Sequence, residues 1–155
     1  MSVFVIDLAT LQPGVNRLRI EGDALELDLP REQWGSPVQG DISVERTGEQ
    51  VSVRGRLDTV IRLECVRCLR AFELPIQPPL ELFAERTGSG ERRDEEALER
   101  DSYMTFHDGR RLDLRNEVRE VLLLELPIAP TCRTDCRGLC TRCGADLNDG
   151  PCSCQ

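Results

Sequence analysis

The chain has 155 residues, with 28 acidic and 20 basic side chains and a formal net charge of −8. A hydrophobic fraction of 39% and a charged fraction of 31% are typical of a soluble globular protein and exclude a disordered one. The acidic balance argues against a general nucleic-acid binder, which carries a basic surplus. Any contact with RNA would therefore need a local basic patch.

Targeting signals are absent from the sequence pattern. No apolar stretch reaches the length that spans a membrane, and residues 1–10 lack the basic and apolar regions of a signal peptide. The sequence thus predicts a cytoplasmic protein without a membrane partner. In that reducing compartment clustered cysteines bind metals or react more often than they form disulfides. The eight cysteines are therefore the first candidates for a functional site.

The N-terminal part predicts β-strands. Apolar residues at 3–8 and at 15–29 recur at short, partly alternating spacing. Within the second stretch, residues 25–29 alternate Leu with acidic residues, which is the pattern of a half-buried strand. Pro30 ends this stretch, and the loop after it contains Trp34, which we expect to cover an edge of the core.

A β-hairpin is predicted next. Ile42 and Val44 alternate with polar neighbours, and residues 47–50 supply a turn. The return strand runs over 51–65, and we expect Gly55 to form a bulge in it.

A C-x-x-C pair at 65–68 interrupts the strand pattern, which resumes at 71–74 and again at 80–83. A pair at a tight reversal between two strands is typical of a zinc knuckle. A redox C-x-x-C would instead follow a strand and open a helix, and no such unit is indicated here.

The segment at 85–101 is charged and predicts a loop, with at most a short helical turn near 95–98. A short strand is predicted at 103–106, followed by a turn at 107–110. The single histidine, His107, is interpreted as a turn residue and not as a ligand or a base.

One helix is predicted at about 114–126, with Asp113 as its N-cap and Pro127 as its stop. Its apolar face should pack on the sheet and consists of Leu114, Val118, Val121, Leu122 and Leu126.

The predicted fold class is α+β. A β-rich antiparallel sheet or partly open barrel carries one main C-terminal helix and a cysteine-rich zinc-knuckle tail. The β-rich domain is predicted at 1–127 and the zinc-binding tail at 128–155, docked through Cys65 and Cys68.

The tail has the composition of a metal-dependent module. Six cysteines lie within 132–154, and residues 140–144 match the C-x-x-C-G knuckle of zinc ribbons. The tail is too poor in apolar residues to fold without a staple, and a bound metal supplies one. Eight cysteines make two sets of four, the ligand count of a closed structural zinc site. Two zinc ions are therefore predicted, with an iron–sulfur cluster or reactive thiols as the alternatives.

Two pairings of the cysteines are open. The favoured division puts site one at Cys65, Cys68, Cys132 and Cys136, and site two at Cys140, Cys143, Cys152 and Cys154. The rival division joins the two C-x-x-C pairs around one ion and leaves the other four cysteines together. Loop-closure entropy favours the first division, but only mildly, because the cost of closure grows slowly with loop length.

Arginines lie among the knuckle cysteines: Arg62, Arg67, Arg70, Arg133, Arg137 and Arg142. One interpretation is that they balance the negative thiolate sites. The other is that they form a basic face for RNA phosphates. No aromatic stacking platform is apparent beside them, so base-specific recognition is not indicated.

The motifs resemble a known family. A C-x-R-C-L knuckle is followed by D-L-x-x-x-V-x-E-x-x-L-L-x-L-P-I-x-P, then by C-x-x-x-C-x-G-L-C-x-x-C-G-x-x-L-N and C-x-C. Over about residues 40–155 the chain resembles the YceD family, the large ribosomal RNA subunit accumulation proteins. The family often has proline after the cysteine matched by Cys140, and Thr141 stands here, which leaves the metal ligands intact.

The resemblance implies a role in synthesis, processing or stability of large-subunit ribosomal RNA, and no enzymatic activity is established for the family. The implied partners are ribosomal RNA, a large-subunit ribosomal protein or an assembly intermediate. The residues agree, since no Gly-rich phosphate loop, nucleophile–histidine arrangement or open metal site is indicated, which predicts no enzyme and no small-molecule substrate.

Two other functions stay open. A thiol- or zinc-responsive cytosolic regulator is the main alternative, and exposed thiols of low pKa would favour it. A zinc-ribbon transcription factor is the third, and the net charge of −8 counts against it.

Overall fold

The computed structural model describes residues 2–86 and 104–154. The described chain contains one α-helix, α1, at Arg115–Leu124. Its strands are β1 Val5–Asp7, β2 Gly14–Gly22, β3 Val38–Thr47, β4 Gln50–Glu64, β5 Ala71–Ile76, β6 Pro79–Arg86, β7 Met104–His107 and β8 Arg111–Asp113. Three short 3-10 turns lie within these described residues, at Leu8–Thr10, Ala24–Leu27 and Leu147–Asp149.

Within the described ranges the main sheet has six strands and is open. Its order is β2-β3-β4-β6-β7, with β5 paired to β4, and β1 and β8 form a separate two-stranded sheet. Strand β4 is long enough to serve two partners on one edge, β6 along residues 50–56 and β5 along residues 59–64. For the described residues the prediction of a β-rich fold with one main helix is confirmed, and their sheet does not close into a barrel.

One strand pair corrects the antiparallel prediction. Strand β7 runs parallel to β6, with Phe83 opposite Met104. A parallel pair needs a crossover of a dozen or more residues, and the sequence between β6 and β7 has that length. The predicted loop at 85–101, with its helical turn near 95–98, lies almost wholly outside the described residues.

The β3–β4 hairpin is confirmed, but the bulge at Gly55 is wrong. Thr47 pairs with Gln50 around a two-residue turn in which Gly48 has φ 63°. The register then continues without a break through Gly55, which lies opposite Ile42. A Cβ on Gly55 would collide with the carbonyl oxygen of Asp41. Gly55 is therefore required by the close approach of β3.

The strand predicted at 25–29 is also wrong. Strand β2 ends at Gly22, and the carboxylate of Asp23 accepts the Leu25 N–H at 2.9 Å, which starts a 3-10 turn. Three-residue periodicity buries Ala24 and Leu27 and leaves Leu25 49% exposed.

Helix α1 packs on the sheet through the predicted face. Leu114, Val118 and Leu122 are fully buried, while Val121 and Leu126 pack partly buried against the same core. The N-cap is Leu114 and not Asp113. Asp113 is the last residue of β8, and its carboxylate still accepts the Arg115 N–H at 3.0 Å. The side chain thus caps the first helical N–H from the residue before the N-cap.

Two further side chains complete the core. Trp34 is buried in the loop between β2 and β3, as expected. His107 is buried at the end of β7, where its Nε2 donates to the carbonyl of Glu49 at 2.8 Å and its Nδ1 accepts the Gly109 N–H at 3.0 Å. Within the described ranges, no helix is long and apolar enough to cross a membrane.

Candidate metal centres

The first C-x-x-C forms a tight reversal between β4 and β5. Glu64 pairs with Ala71, and the Cys65 N–H donates to the carbonyl of Arg70 at 2.9 Å. The Leu69 N–H donates back to the carbonyl of Cys65 at 2.9 Å, and Leu69 has the left-handed φ of 62°. The hairpin end thus places two thiols side by side.

These two thiols meet two from the tail. All Sγ atoms of this group lie within 4.8 Å of one another, and the Sγ–Sγ distances include 3.7 Å for Cys65–Cys136 and 3.6 Å for Cys68–Cys132. A tetrahedron with Zn–S bonds of 2.3 Å has edges of about 3.8 Å, so the spacing fits one ion. We call this group cluster one: Cys65, Cys68, Cys132 and Cys136.

Cluster one fastens the tail to the hairpin through the main chain as well. The Val66 N–H donates to the carbonyl of Pro130 at 2.9 Å, and Nη1 of Arg67 donates to the carbonyl of Cys136 at 3.0 Å. Gly138 has φ 77°, and a Cβ there would lie 3.2 Å from the carbonyl oxygen of Arg67. The tail therefore lies directly against the knuckle loop.

The thiols of cluster one differ in pKa. Burial, the largest effect on Cys65, acts to raise its pKa, but N–H groups of Cys68, Cys132 and Arg67 together outweigh it and lower the pKa to about 6. At Cys132 burial dominates and raises the pKa to about 12. The knuckle turn therefore favours the thiolate, the form that binds metal.

The remaining four cysteines form cluster two: Cys140, Cys143, Cys152 and Cys154. Their Sγ atoms also lie within 4.8 Å of one another. The Gly144 N–H donates to the carbonyl of Cys140 at 2.9 Å, which closes a second knuckle turn. Backbone N–H groups of Cys143 and Arg142 are the main reason that the pKa of Cys140 is lowered to about 6. Each cluster could therefore hold a metal ion.

A segment of cluster two also contacts cluster one. Nδ2 of Asn148 donates to Sγ of Cys136 at 3.3 Å. The guanidinium of Arg70, beside the first knuckle, forms ion pairs of 2.9 Å with Asp146 and with Asp149. Sequence reasoning missed these contacts, although the L-N at the end of the tail motif was a signal that Asn148 has a defined place.

The six predicted arginines do not form one free surface. Three have partners inside the protein: Arg67 donates to the tail backbone, Arg70 pairs with Asp146 and Asp149, and Arg133 pairs with Asp135 at 3.5 Å. The other three are exposed and have no side-chain partner in the described part of the chain: Arg62, Arg137 and Arg142.

Comparison with known proteins identifies the family. The family model described as "Large ribosomal RNA subunit accumulation protein YceD" matches residues 53–155, which include both clusters. The chain belongs to the YceD family. An uncharacterized protein of Mycobacterium leprae is 35% identical over 144 residues, covering 92% of this chain and 61% of the relative.

Plant and other mycobacterial relatives match as well. The Arabidopsis thaliana "Large ribosomal RNA subunit accumulation protein YCED homolog 1, chloroplastic" is 26% identical over 96% of this chain and 54% of its own length. An uncharacterized protein of Mycobacterium tuberculosis is 34% identical over 81% of this chain and 58% of its own length. The chain thus spans a little over half the length of these YceD relatives. No solved structure matches it at a significant level.

Proposed function

We propose that this YceD protein is a non-catalytic cytoplasmic factor that supports the synthesis, processing or stability of large-subunit ribosomal RNA. The carrying observation is that the family match spans both clusters at 53–155. The printed name of the Arabidopsis relative points to the same process. The proposed partners are ribosomal RNA, a large-subunit ribosomal protein or an assembly intermediate.

Zinc is the ion that the donor sets favour. Four thiolates in a tetrahedral arrangement suit Zn²⁺ or an iron–sulfur centre, and two separate groups of four suit one zinc ion each. Four protein ligands leave no open position for water or substrate, which supports a structural role and not a catalytic one. The two ions would hold the tail as a rigid binding surface.

The contact residues for the partner are proposed among the unpaired tail arginines. Arg137 and Arg142 lie beside the two clusters and have no side-chain partner within the described ranges. Guanidinium groups held on a rigid scaffold can bind RNA phosphates in a bidentate manner. Arg67 and Arg70 are already engaged with the tail and are assigned to structure.

The test is genetic and biochemical. A strain lacking the protein should accumulate less large-subunit ribosomal RNA and fewer large-subunit particles on sedimentation. Complementation with Arg137→Glu plus Arg142→Glu should fail. The same charge change at Arg17 and Arg19, exposed on edge strand β2, should complement fully. Normal particles in the deletion strain would overturn the proposal.

A thiol- or zinc-responsive regulator is the second candidate, and one observation favours it. In cluster two Cys143 is exposed and the other three thiols are only half-buried. Alkylation of the metal-loaded protein decides between the two functions. Thiols that react slowly until a chelator is added support the structural role, and rapid alkylation with release of metal supports the regulator.

A further inference from the structure

The tail folds into a short hairpin that both clusters share. Leu139 lies opposite Asp146 in an antiparallel bridge. The Cys140 N–H donates to the carbonyl of Ala145 at 2.8 Å, and the Leu147 N–H donates to the carbonyl of Gly138 at 2.9 Å. We call residues 138–147 the tail hairpin. Its closed end carries the knuckle of cluster two, and its open end emerges beside Cys136 of cluster one.

Asn148 stands at that open end, and its contacts fix the orientation of its amide. Its Oδ1 accepts the Arg137 N–H at 2.9 Å, which identifies the oxygen, because a backbone N–H needs an acceptor. Its Nδ2 therefore points the other way and donates to Sγ of Cys136 at 3.3 Å and to Oδ1 of Asp146 at 2.9 Å. Every polar atom of the side chain has a partner.

This N–H bond is directed at a metal-ligand atom of the other cluster. Asn148 precedes Cys152 by four residues, so the short loop that places Cys152 in cluster two also places Asn148. A donor to a ligand sulfur stabilises the thiolate and orients it, and such supporting contacts affect metal affinity about 10- to 100-fold. The bond therefore connects the loop of cluster two to Cys136 of cluster one.

A second contact holds the same segment against the first knuckle. Arg70 pairs with Asp146 and Asp149, and the Asp146 side chain is only 13% exposed. Asp146 also accepts the backbone N–H of Asn148 at 2.9 Å. The segment 146–149 is therefore held between the two knuckles and does not belong to cluster two alone.

We propose that Asn148 is a positioning residue that couples the two clusters. A thiophilic divalent cation bound at cluster two then raises the affinity of cluster one for a second such cation. Coupling between two binding sites is reciprocal, so an ion at cluster one must favour cluster two by the same factor. The inference rests on the metal-bound state proposed above, but it does not depend on any role in ribosomal RNA accumulation.

The test uses Co²⁺ as a spectroscopic substitute for zinc in the full chain. Thiolate-to-cobalt absorption reports binding, and competition with a chelator gives the affinity. Asn148→Asp keeps the size of the side chain and the acceptor for Arg137 but removes the Nδ2 donor to Cys136 and to Asp146. We expect it to weaken cluster one about 10- to 100-fold and to change the cobalt spectrum. Asn116→Asp, the same exchange at an exposed position of α1, should change neither.

A double-mutant cycle tests the coupling itself. Cys152→Ser with Cys154→Ser removes cluster two and should weaken cluster one by a similar factor. Combining these changes with Asn148→Asp should add little, because both act through one contact. Additive losses, or an unchanged affinity in Asn148→Asp, would overturn the proposal.

Three further outcomes distinguish the coupling from the metal assignment and from the proposed function. If the serine variant is too unstable to study, biphasic cobalt release from the otherwise intact Asn148→Asp protein decides, since coupled sites in the parent should release together. Failure of cobalt to bind either cluster would overturn both the metal assignment and the coupling. If the two clusters bind cobalt independently while the deletion strain still has fewer large-subunit particles, the coupling alone is overturned.

Discussion

Each of the two clusters consists of four cysteines, but the surroundings of the two clusters differ. In cluster one three of the four thiols are buried, whereas in cluster two none is buried and Cys143 is exposed. In cluster one, Cys68 and Cys132 are 64 positions apart in the sequence, and Cys65 and Cys136 are 71 positions apart. Cluster two is confined to residues 140–154. The two clusters therefore have different structural roles. Cluster one joins distant parts of the chain, and cluster two orders a local turn.

Chain entropy gives the difference a scale. A cross-link that closes a loop of about 65 residues removes about 4 kcal/mol of denatured-state entropy, and one that closes about 12 residues removes about 3 kcal/mol. Because the dependence on length is weak, the contrast lies less in total energy than in what is held. Loss of cluster one should free the tail from the sheet, whereas loss of cluster two should loosen the tip of the tail and weaken metal binding at cluster one without undocking the tail.

The largest effect is expected for Cys65→Ser combined with Cys68→Ser. One of two metal ions should be lost, together with about 4 kcal/mol of docking, so the whole tail should become open to proteolysis. Metal analysis and limited proteolysis with mass spectrometry provide the measurement. Cys152→Ser with Cys154→Ser is the matched control, because it also loses one ion but should leave residues near Cys132 protected. Equal cleavage in both variants would contradict the comparison.

A core substitution supplies a metal-independent reference. Leu122 of α1 is fully buried, so Leu122→Ala should cost about 3 kcal/mol of unfolding free energy. Urea unfolding should show the same loss with and without chelator, because the sheet and helix have their own core. A loss that depends on chelator would show that the tail stabilises the sheet as a whole.

A pair of glycines separates docking from local turn strain. Gly138 and Gly144 have nearly equal φ values of 77° and 73°. Alanine at either position should therefore reduce the free energy of metal binding by about 1 kcal/mol, the cost of the left-handed conformation. Only at Gly138 would the new Cβ press on the carbonyl of Arg67, at 3.2 Å, and that should raise the loss to about 2 kcal/mol. Chelator competition on both variants measures the difference, and equal losses would argue against close docking of the tail.

The smallest effect is expected at Asp113, outside both clusters. The side chain of Arg115 is the main cause of its lowered pKa, so its stabilising effect is present above its usual pKa of 3.8 and disappears as the pH falls through the lowered value. Because the pair is half exposed, Asp113→Asn should cost less than about 1 kcal/mol at neutral pH. Urea unfolding of chelated protein at pH 7 and near pH 2 checks this, and a loss that persists in acid would exclude the ion pair as its cause.

The sequence was informative where a pattern has one physical solution. The turn at 47–50 between alternating strands predicts the β3–β4 hairpin, and the apolar face of 114–126 predicts a helix that packs on the sheet. Both are confirmed. The clustered thiols are also grouped in space as four and four, with Cys65 and Cys68 beside the start of the tail.

It was misleading where one pattern has several solutions. Alternating leucines at 25–29 fit a strand, but the cap formed by Asp23 and the three-residue spacing of buried groups select a 3-10 turn. A glycine within a strand fits a bulge or a close approach, and at Gly55 only the position of Asp41 decides. The parallel pairing of β7 depends on a long crossover whose route no local pattern encodes.

The partners of polar side chains were the least predictable part. Arg67 and Arg142 occupy the same position of a C-x-R-C pair, yet the docked tail supplies Arg67 with acceptors, whereas no residue in the described part of the chain pairs with the side chain of Arg142. Asn148 gains its donor role only because the tail hairpin brings it back to Cys136. Such contacts arise from tertiary docking and are not written in spacing or periodicity.

The long separation within cluster one has a consequence for the order of events during translation. Cys68 leaves the ribosome 64 residues before Cys132, which at about 5 to 20 residues per second is an interval of roughly 3 to 13 s. During that interval the first knuckle is a nascent half-site with two unshared thiols. Cluster one can therefore form only after the strands and the helix between its two halves have been synthesised.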